Sequence, residues 1–262
     1  MKIAVCIKQV PNSSQIKVDA VTHNLIRENA EMVVNPADLN ALTEAIHIKE
    51  LTGAAVDVFT MGIPEAEGAL YTALAIGADQ AYLVTDRAFA GCDSLGTAVV
   101  LCNAIKKVDD YDLILCGSLA SDGATGQVGP MLAELLQLPS LSVVRSVESI
   151  TDHQITASRN FRGKKLSVVL QLPCVLTVSL GTNVPILPTL RNQMKAKKKE
   201  IHVLTNQELA IPCEEVGTSG ALSVVTDTYA AQSDGKVCEM LPGESGEIAK
   251  RIAELVNKAI ES

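Results

Sequence analysis

Four short apolar runs, Lys2–Lys8, Ala55–Met61, Ala81–Thr85 and Leu113–Cys116, are each followed by a stretch of helical periodicity. That alternation restricts the fold more than any other feature. A strand that is apolar at almost every position, rather than every second one, must be covered on both faces. Repeated strand–helix units then give a parallel sheet between two helical layers. The punctuation agrees. Asn35-Pro36-Ala37-Asp38 reads as N-cap, first-turn proline and first-turn acid, ahead of Leu39, Leu42 and Ile46 on one helical face. Gly53 ends that helix, Pro64 opens a second that stops at Gly77, and Asp93 caps a third carrying Leu95, Val99, Cys102 and Ile105. A fourth helix spans Gln127–Leu136.

Beyond Ser140 the pattern changes. Val143–Ile150, Gln154–Asn160, Lys165–Gln171 and Val175–Leu180 read as strands, with Arg162-Gly163-Lys164 as a hairpin turn. Val184–Pro188 reads as a loop, residues 203–240 as extended and partly irregular, and Glu247–Ile260 as an amphipathic helix. The expected fold class is α/β: a Rossmann-like open, mostly parallel sheet with helices on both faces, an antiparallel excursion, and a C-terminal arm ending in a helix. The expected domains are residues 1–202, the α/β body, and 203–262, the arm.

Composition removes several function classes. A net charge of −8 argues against nucleic acid, and so does an aromatic content of 3% without tryptophan. No apolar run reaches a membrane span, and Met1-Lys2 leads into a run too short for a signal peptide, so a cytoplasmic protein is expected. Seven cysteines occur without a CxxC pair; most read as buried thiols in a reducing compartment. His23, His47, His153 and His202 are scattered, without metal spacing, and read as surface or capping residues. Neither a metal site nor a catalytic acid–base residue is expected, which suits a protein that holds a cofactor.

The segment Gly117–Pro130 carries the clearest chemistry. It leaves a buried strand, holds four glycines at 117, 123, 126 and 129, and enters a helix. Small side chains let backbone N–H groups approach a phosphate at the positive end of that helix. Ser121, Thr125 and Gln127 offer further hydrogen bonds. The plainer reading is a flexible connection with ordinary capping, since neither a Walker loop nor GxGxxG is present. Ligands of open α/β sheets lie at the carboxyl ends of strands. Cys6–Asn12, Thr60-Met61-Gly62, Asp86–Gly91 and Asn35-Pro36 all fall at that edge, which points to a shared crevice. Arg87 has two readings, pairing with a phosphate or with a neighbouring carboxylate. A second segment, Pro185–Lys199, sets Ile186, Leu187 and Leu190 beside a basic run. It reads either as a loop entering a solvated helix or as a docking loop with one apolar anchor, Leu190, steered by charge.

These segments together resemble the beta (small) subunit of electron-transfer flavoproteins. The resemblance rests on Ala4-Val5-Cys6-Ile7-Lys8-Gln9-Val10-Pro11, Asn35-Pro36 with Asn40-Ala41-Leu42, and Ala73–Asp79. It continues in Asp122-Gly123 with Gln127-Val128-Gly129-Pro130 and in Met194-Lys195-Ala196-Lys197-Lys198-Lys199; residues 203–262 match only loosely. It implies a heterodimer with an FAD-carrying alpha subunit, on which the C-terminal arm packs. It places a nucleotide against Cys6, Asn35, Pro36, Asp38, Met61 and the loop from Gly117 through Ala120, Ser121, Asp122, Gly123, Ala124, Thr125, Gly126, Gln127, Val128 and Gly129. It implies docking of an FAD-dependent dehydrogenase on Leu190, Met194 and Lys195.

One branch of that family holds a structural AMP in this subunit. The other holds a second FAD that exchanges electrons with NAD(H) and bifurcates or confurcates electron pairs, typically in anaerobic metabolism. Asp86-Arg87-Ala88-Phe89-Ala90-Gly91 resembles the FAD-holding branch, and with Asp93 and Thr97 it joins the expected cofactor site. The chain departs from that branch at Ser94 and Gly96. It also carries Ser118 and Ala124 where the branch has Arg and Asp. The expected cofactor is therefore FAD, with AMP as the alternative and NAD(H) as a transient partner. A nucleotide-hydrolysing domain is a more distant reading, disfavoured by the missing P-loop.

Overall fold

A computed structural model describes residues 1–12, 31–224, 226 and 240–260, together with the backbone of 17–18, 25–26 and 261. Met1–Asp227 forms one compact unit and Thr228–Ser262 a second. In the first unit the order is β1 (Lys2–Cys6), β2 (Gln9–Pro11), β3 (Lys17–Val18), β4 (Leu25–Ile26), β5 (Met32–Val34), α1 (Pro36–Thr52), β6 (Ala55–Met61), α2 (Glu67–Ile76), β7 (Gln80–Val84), α3 (Ser94–Val108), β8 (Leu113–Gly117) and α4 (Val128–Leu136). There follow β9 (Ser140–Val144), β10 (Ser146–Ile150), β11 (Gln154–Phe161), β12 (Lys164–Gln171), β13 (Cys174–Val178), α5 (Leu190–Ala196), β14 (His202–Leu204), α6 (Asn206–Leu209) and α7 (Gly217–Gly220).

Seven strands form one sheet in the order β14-β7-β6-β1-β8-β13-β9, and every pairing in it is parallel. The chain runs outward from β1 through β6 to β7, then returns to β8 on the other side of β1. The strand order therefore reverses between β1 and β8, where open sheets leave a crevice. Helices α1 and α2 pack one core through Leu42, Ile46, Leu70 and Leu74. Helices α3 and α4 pack a second through Leu101, Ile105, Leu132 and Ala133. Ile3 and Val5 of β1 face the first core and Ala4 and Cys6 the second, so the central strand is buried on both sides.

Local signals explain the boundaries. Pro36 opens α1, and Gly53 closes it at φ 73° with its N–H donated to Lys49 O. Asp93 caps α3 by accepting from Leu95 N and Gly96 N, both at 3.0 Å. Arg162 and Gly163 both take positive φ, 49° and 74°, as a tight turn between twisted antiparallel strands requires. Paired with β11, β10 completes a three-stranded antiparallel sheet.

Three expectations need correction. Val143–Ile150 is not one strand. Val143 takes φ 61° and its N–H goes to Thr177 Oγ1 at 2.9 Å, so the chain leaves the parallel sheet after Val144 and starts again as β10. Asn35 sits at the N-cap of α1 but makes no side-chain cap hydrogen bond, because its amide is used elsewhere. Residues 203–240, read as extended and partly irregular, hold the helices α6 and α7 among their described residues, besides the end of β14, which adds an edge strand to the main sheet beside β7. These elements belong to the compact unit Met1–Asp227.

Cys6, Cys102, Cys116 and Cys174 are buried free thiols, Cys92 is half-buried and Cys213 exposed; Cys238 lies outside the described residues. His47 and His153 are exposed, and His202 stacks on Tyr82 with Nε2 3.2 Å from Gln80 Oε1; His23 lies outside the described residues. In the second unit, α8 (Ser245–Glu261) carries Ile248, Ile252, Leu255 and Val256 at helical spacing. Among the described residues, no helix is long and apolar enough to cross a membrane, and no cluster of three or more His, Cys, Asp or Glu has metal-site geometry.

Candidate functional site

The carboxyl ends of β1, β6 and β8 open into a cleft of about 800 Å³, a volume in the range of cofactor sites. Its floor is Cys6 and Cys116, in-register neighbours on the two strands flanking the reversal of strand order. The Cys116 thiol contacts Cys6, and this contact together with burial pushes its pKa up. One wall is the loop from Gly117 to Gly129; the opposite wall is Phe89, Gly91, Cys92, Asp93, Ser94 and Thr97. Met61 closes one end, and Thr218, Ser223 and Val224 form a third side.

The loop is held from below. Asn35 Nδ2 donates to Leu119 O at 2.9 Å, and Asn35 Oδ1 accepts from Ser121 N at 3.0 Å. The residue is 1% exposed, so one buried amide satisfies both of its hydrogen-bonding edges on the loop. Asp38 ties the strand ends together: Oδ2 accepts from Lys8 N at 2.7 Å and Oδ1 from Gly117 N at 3.1 Å. Burial pushes the Asp38 carboxyl up to about 7, against the opposing pull of those donors. Gly117 has no room for a side chain, since a Cβ there would lie 2.1 Å from Asp38 Oδ1. Gly129 is equally confined, 2.3 Å from Thr177 Cγ2, whereas a Cβ at Gly123 would meet nothing within 4 Å. Two of the glycines therefore serve packing, and Gly123 leaves open space at the cleft.

The N-termini of α3 and α4 at the cleft differ. That of α3 is filled. Besides its two capping bonds, the Asp93 carboxylate accepts from Leu222 N, Ser223 N and Ser223 Oγ at 3.0–3.1 Å. These donors hold its pKa below the usual carboxylate value. That of α4 has Gln127 at its N-cap position with no side-chain cap, and Gln127, Val128 and Gly129 line the cleft. Pro130 has no N–H, so the first turn of α4 offers the N–H groups of Val128 and Gly129, both cleft-lining residues at the positive end of the helix. Across the mouth, Ser94 Oγ donates to Thr125 Oγ1 at 3.1 Å.

Of the residues singled out from sequence, the structure brings Cys6, Asp38, Met61, Gly91, Asp93, Thr97, Gly117, Ala120, Gly123, Ala124, Thr125, Gly126, Gln127, Val128 and Gly129 to the cleft wall. Asn35, Pro36, Asp86, Arg87, Ser121 and Asp122 are not among the lining residues. Asn35 and Ser121 form the clamp beneath the loop. Asp86 caps a short 3-10 turn through Ala88 N and accepts from Asn206 N at 3.0 Å, so it anchors the chain leading into α6. Arg87 is exposed. Lys8, Phe89 and Leu119 line the cleft from segments expected at that edge, though not named as cofactor residues, and Cys92, Ser94 and Thr218 line it as well. Lys8 and Phe89 were legible as neighbours of chosen residues; Thr218 had no local signal, because a distant segment brings it there.

On the other side of the body, α5 is capped by Thr189, whose side chain accepts from Asn192 N. Leu190 is 74% and Met194 64% exposed. With Arg191, Lys195 and Lys198 they border a shallow depression of about 370 Å³. Ala196 is buried, and Lys199 Nζ donates to Ala78 O at 3.0 Å, which pins the far end of the segment to the turn between α2 and β7.

Comparison with known proteins agrees with this architecture. A family described as "Electron transfer flavoprotein domain" matches residues 22–209. The electron transfer flavoprotein subunit beta of Thermoanaerobacterium thermosaccharolyticum is 41% identical over 98% of both chains. The caffeyl-CoA reductase-Etf complex subunit CarD of Acetobacterium woodii is 36% identical over 90% of both, and protein FixA of Azotobacter vinelandii 36% identical over 97% of this chain and 92% of its own. A seven-stranded parallel sheet with its cleft at the β1/β8 reversal, and full-length similarity to beta subunits, lead to one assignment: the chain belongs to the electron transfer flavoprotein family, among its beta subunits.

Proposed function

We propose that this beta subunit holds FAD in the β1/β8 cleft, exchanges electrons with NAD(H), and passes them to the FAD of an alpha subunit and on to a flavin-dependent dehydrogenase in the cytosol. The observation that carries the reading is the contrast between the helix termini: α3 is closed by its own Asp93, whereas α4 has no side-chain cap, and the N–H groups of Val128, Gly129 and the glycine loop belong to residues that line a cleft of about 800 Å³. Such N–H groups suit the phosphates of a dinucleotide. Gly123 leaves room for close approach, Met61 and Phe89 supply apolar surface for a ring, and Asn35 and Asp38 fix the walls. When bound, FAD supplies the redox chemistry; the chain binds and orients it and excludes water. The name of the CarD relative, a subunit of a caffeyl-CoA reductase-Etf complex, supports electron transfer within a larger complex and suggests an acyl-CoA reductase as the kind of partner. The exposed Leu190 and Met194, flanked by Arg191 and Lys195, suit an acidic docking partner with an apolar pocket.

The second reading is an AMP-holding subunit without redox chemistry of its own. Arg87, singled out for the FAD branch, is exposed and off the cleft wall, which keeps this reading in play. Purification of the heterodimer and a count of its nucleotides separates the two. Two FAD per heterodimer, with flavin bleaching on NADH addition, is the expected outcome; one FAD and one AMP would establish the second reading. Leu190→Ala is expected to slow electron transfer to the dehydrogenase about tenfold or more, a loss of one buried leucine's ~1.5–3 kcal/mol, with flavin content unchanged. Loss of flavin would show the loop to be part of the cofactor site instead.

A further inference from the structure

The cleft has an unusual charge balance for a phosphate site. Among the described residues that line it, the charged side chains are Lys8, Asp38 and Asp93. Asp93 is saturated by five donors, and Asp38 is enclosed and receives two backbone N–H groups. From Gly117 to Pro130 the one charged side chain is Asp122. A phosphate entering here meets carboxylates and a single cation, and that cation is already paired: Lys8 Nζ lies 2.6 Å from Asp122 Oδ2.

We propose, building on the nucleotide reading above, that Lys8 is the counter-charge for the nucleotide's phosphates and that Asp122 is its partner only while the cleft lacks them. The backbone of Lys8 is fixed, because its N–H donates to Asp38 Oδ2 at 2.7 Å. Its side chain is not, being 49% exposed, with Asp122 35% exposed. An exposed ion pair of this kind contributes little stability, and water solvates Asp122 once it is released. A phosphate held by the first turn of α4 and by loop N–H groups offers the ammonium a more highly charged partner in a less solvated place. Lys8 then leaves Asp122 with a change of side-chain rotamer alone. Nothing in the exchange requires the loop to open, since Asn35 holds it independently through Leu119 and Ser121. The pair also screens against ligands without phosphate, because these leave Lys8 on Asp122 and gain nothing from it.

Calorimetric titration of the purified full-length chain, stripped of nucleotide, with ADP and with adenosine tests the proposal. Wild type should bind ADP more tightly than adenosine. Lys8→Ala should weaken ADP by about 10–100-fold, as loss of a hydrogen bond to a charged group predicts, and leave adenosine within twofold. Lys8→Arg should restore most of the ADP affinity. Asp122→Asn, which frees Lys8, should tighten ADP by about two- to fivefold, because an exposed ion pair no longer has to be broken. If Lys8→Ala and Asp122→Asn instead weaken ADP and adenosine equally, the pair is a structural clamp on the loop and the proposal is overturned. A wild-type chain that binds neither ligand would overturn the nucleotide reading itself, a different outcome from either of these.

Discussion

Gly117 and Gly123 lie in the same loop, yet the structure gives them opposite demands. A methyl at Gly117 would meet the Asp38 carboxylate and the α1 backbone, so Gly117→Ala should destabilise the fold by about 1–3 kcal/mol, the usual cost of overpacking. At Gly123 the same substitution should change stability by no more than about 0.5 kcal/mol while reducing nucleotide affinity. Denaturant midpoints and a binding titration on the two variants check the contrast. Asp38 yields a prediction in pH. Its folded pKa of about 7 lies above the unfolded carboxylate value of 3.8, so the folded state binds the proton more tightly. The favourable contribution is fully present below about 3.8 and is lost as pH rises through about 7. Over that window unfolding free energy should fall by up to ~1.4 kcal/mol per pH unit from this group. Asp38→Asn should flatten that slope, at a cost of about 1–3 kcal/mol for the N–H donor that then faces an amide NH₂. An unchanged slope in the variant would assign the pH dependence to other groups. Neither the cramped glycine nor the raised carboxyl was legible in sequence, because each depends on a neighbour some 80 positions away in the chain (an interval of 79 for Gly117 and Asp38).

Helix starts were legible as elements, but their chemistry was not. Pro36, Asp93 and the 127/128 boundary all mark helices where the periodicity placed them. Asn35 nevertheless does not cap α1; its amide reaches the Gly117–Pro130 loop. Asn35→Ala removes two bonds to that loop and leaves Ser121 N without its acceptor. The variant should lose about 1–2 kcal/mol of stability, at the level of one or two ordinary hydrogen bonds. It should also show faster amide hydrogen exchange at Ser121 and its neighbours than in the strands beneath. Exchange confined to global unfolding would show that the clamp is dispensable. Asp93 likewise caps its helix as expected, but it also anchors Leu222 and Ser223. Cap residues carry spare acceptors, and only the folded chain decides which distant donors use them.

For the whole molecule, the order of strands puts the cleft at the carboxyl ends of the paired strands β1 and β8, where that order reverses, and the lining residues follow from that topology. A ligand in the cleft should stabilise the fold by about 2.7 kcal/mol at a hundredfold excess over its Kd, seen as a rise in Tm. It should also slow alkylation of half-buried Cys92 without slowing that of exposed Cys213. Equal protection of both would point to a global effect rather than occupation of this cleft. The sequence by itself determined the class of fold, because strands apolar on both faces need two covering layers, and it marked the glycine-rich loop as the place of closest backbone approach. Local pattern sufficed there, since periodicity and glycine content act over a few residues. Tertiary structure alone decided which glycines are packing and which are open, that Asp93 fills one helix terminus while another stays free, and that Lys8 faces Asp122. Those outcomes depend on distances between segments a hundred residues apart, which sequence spacing does not encode.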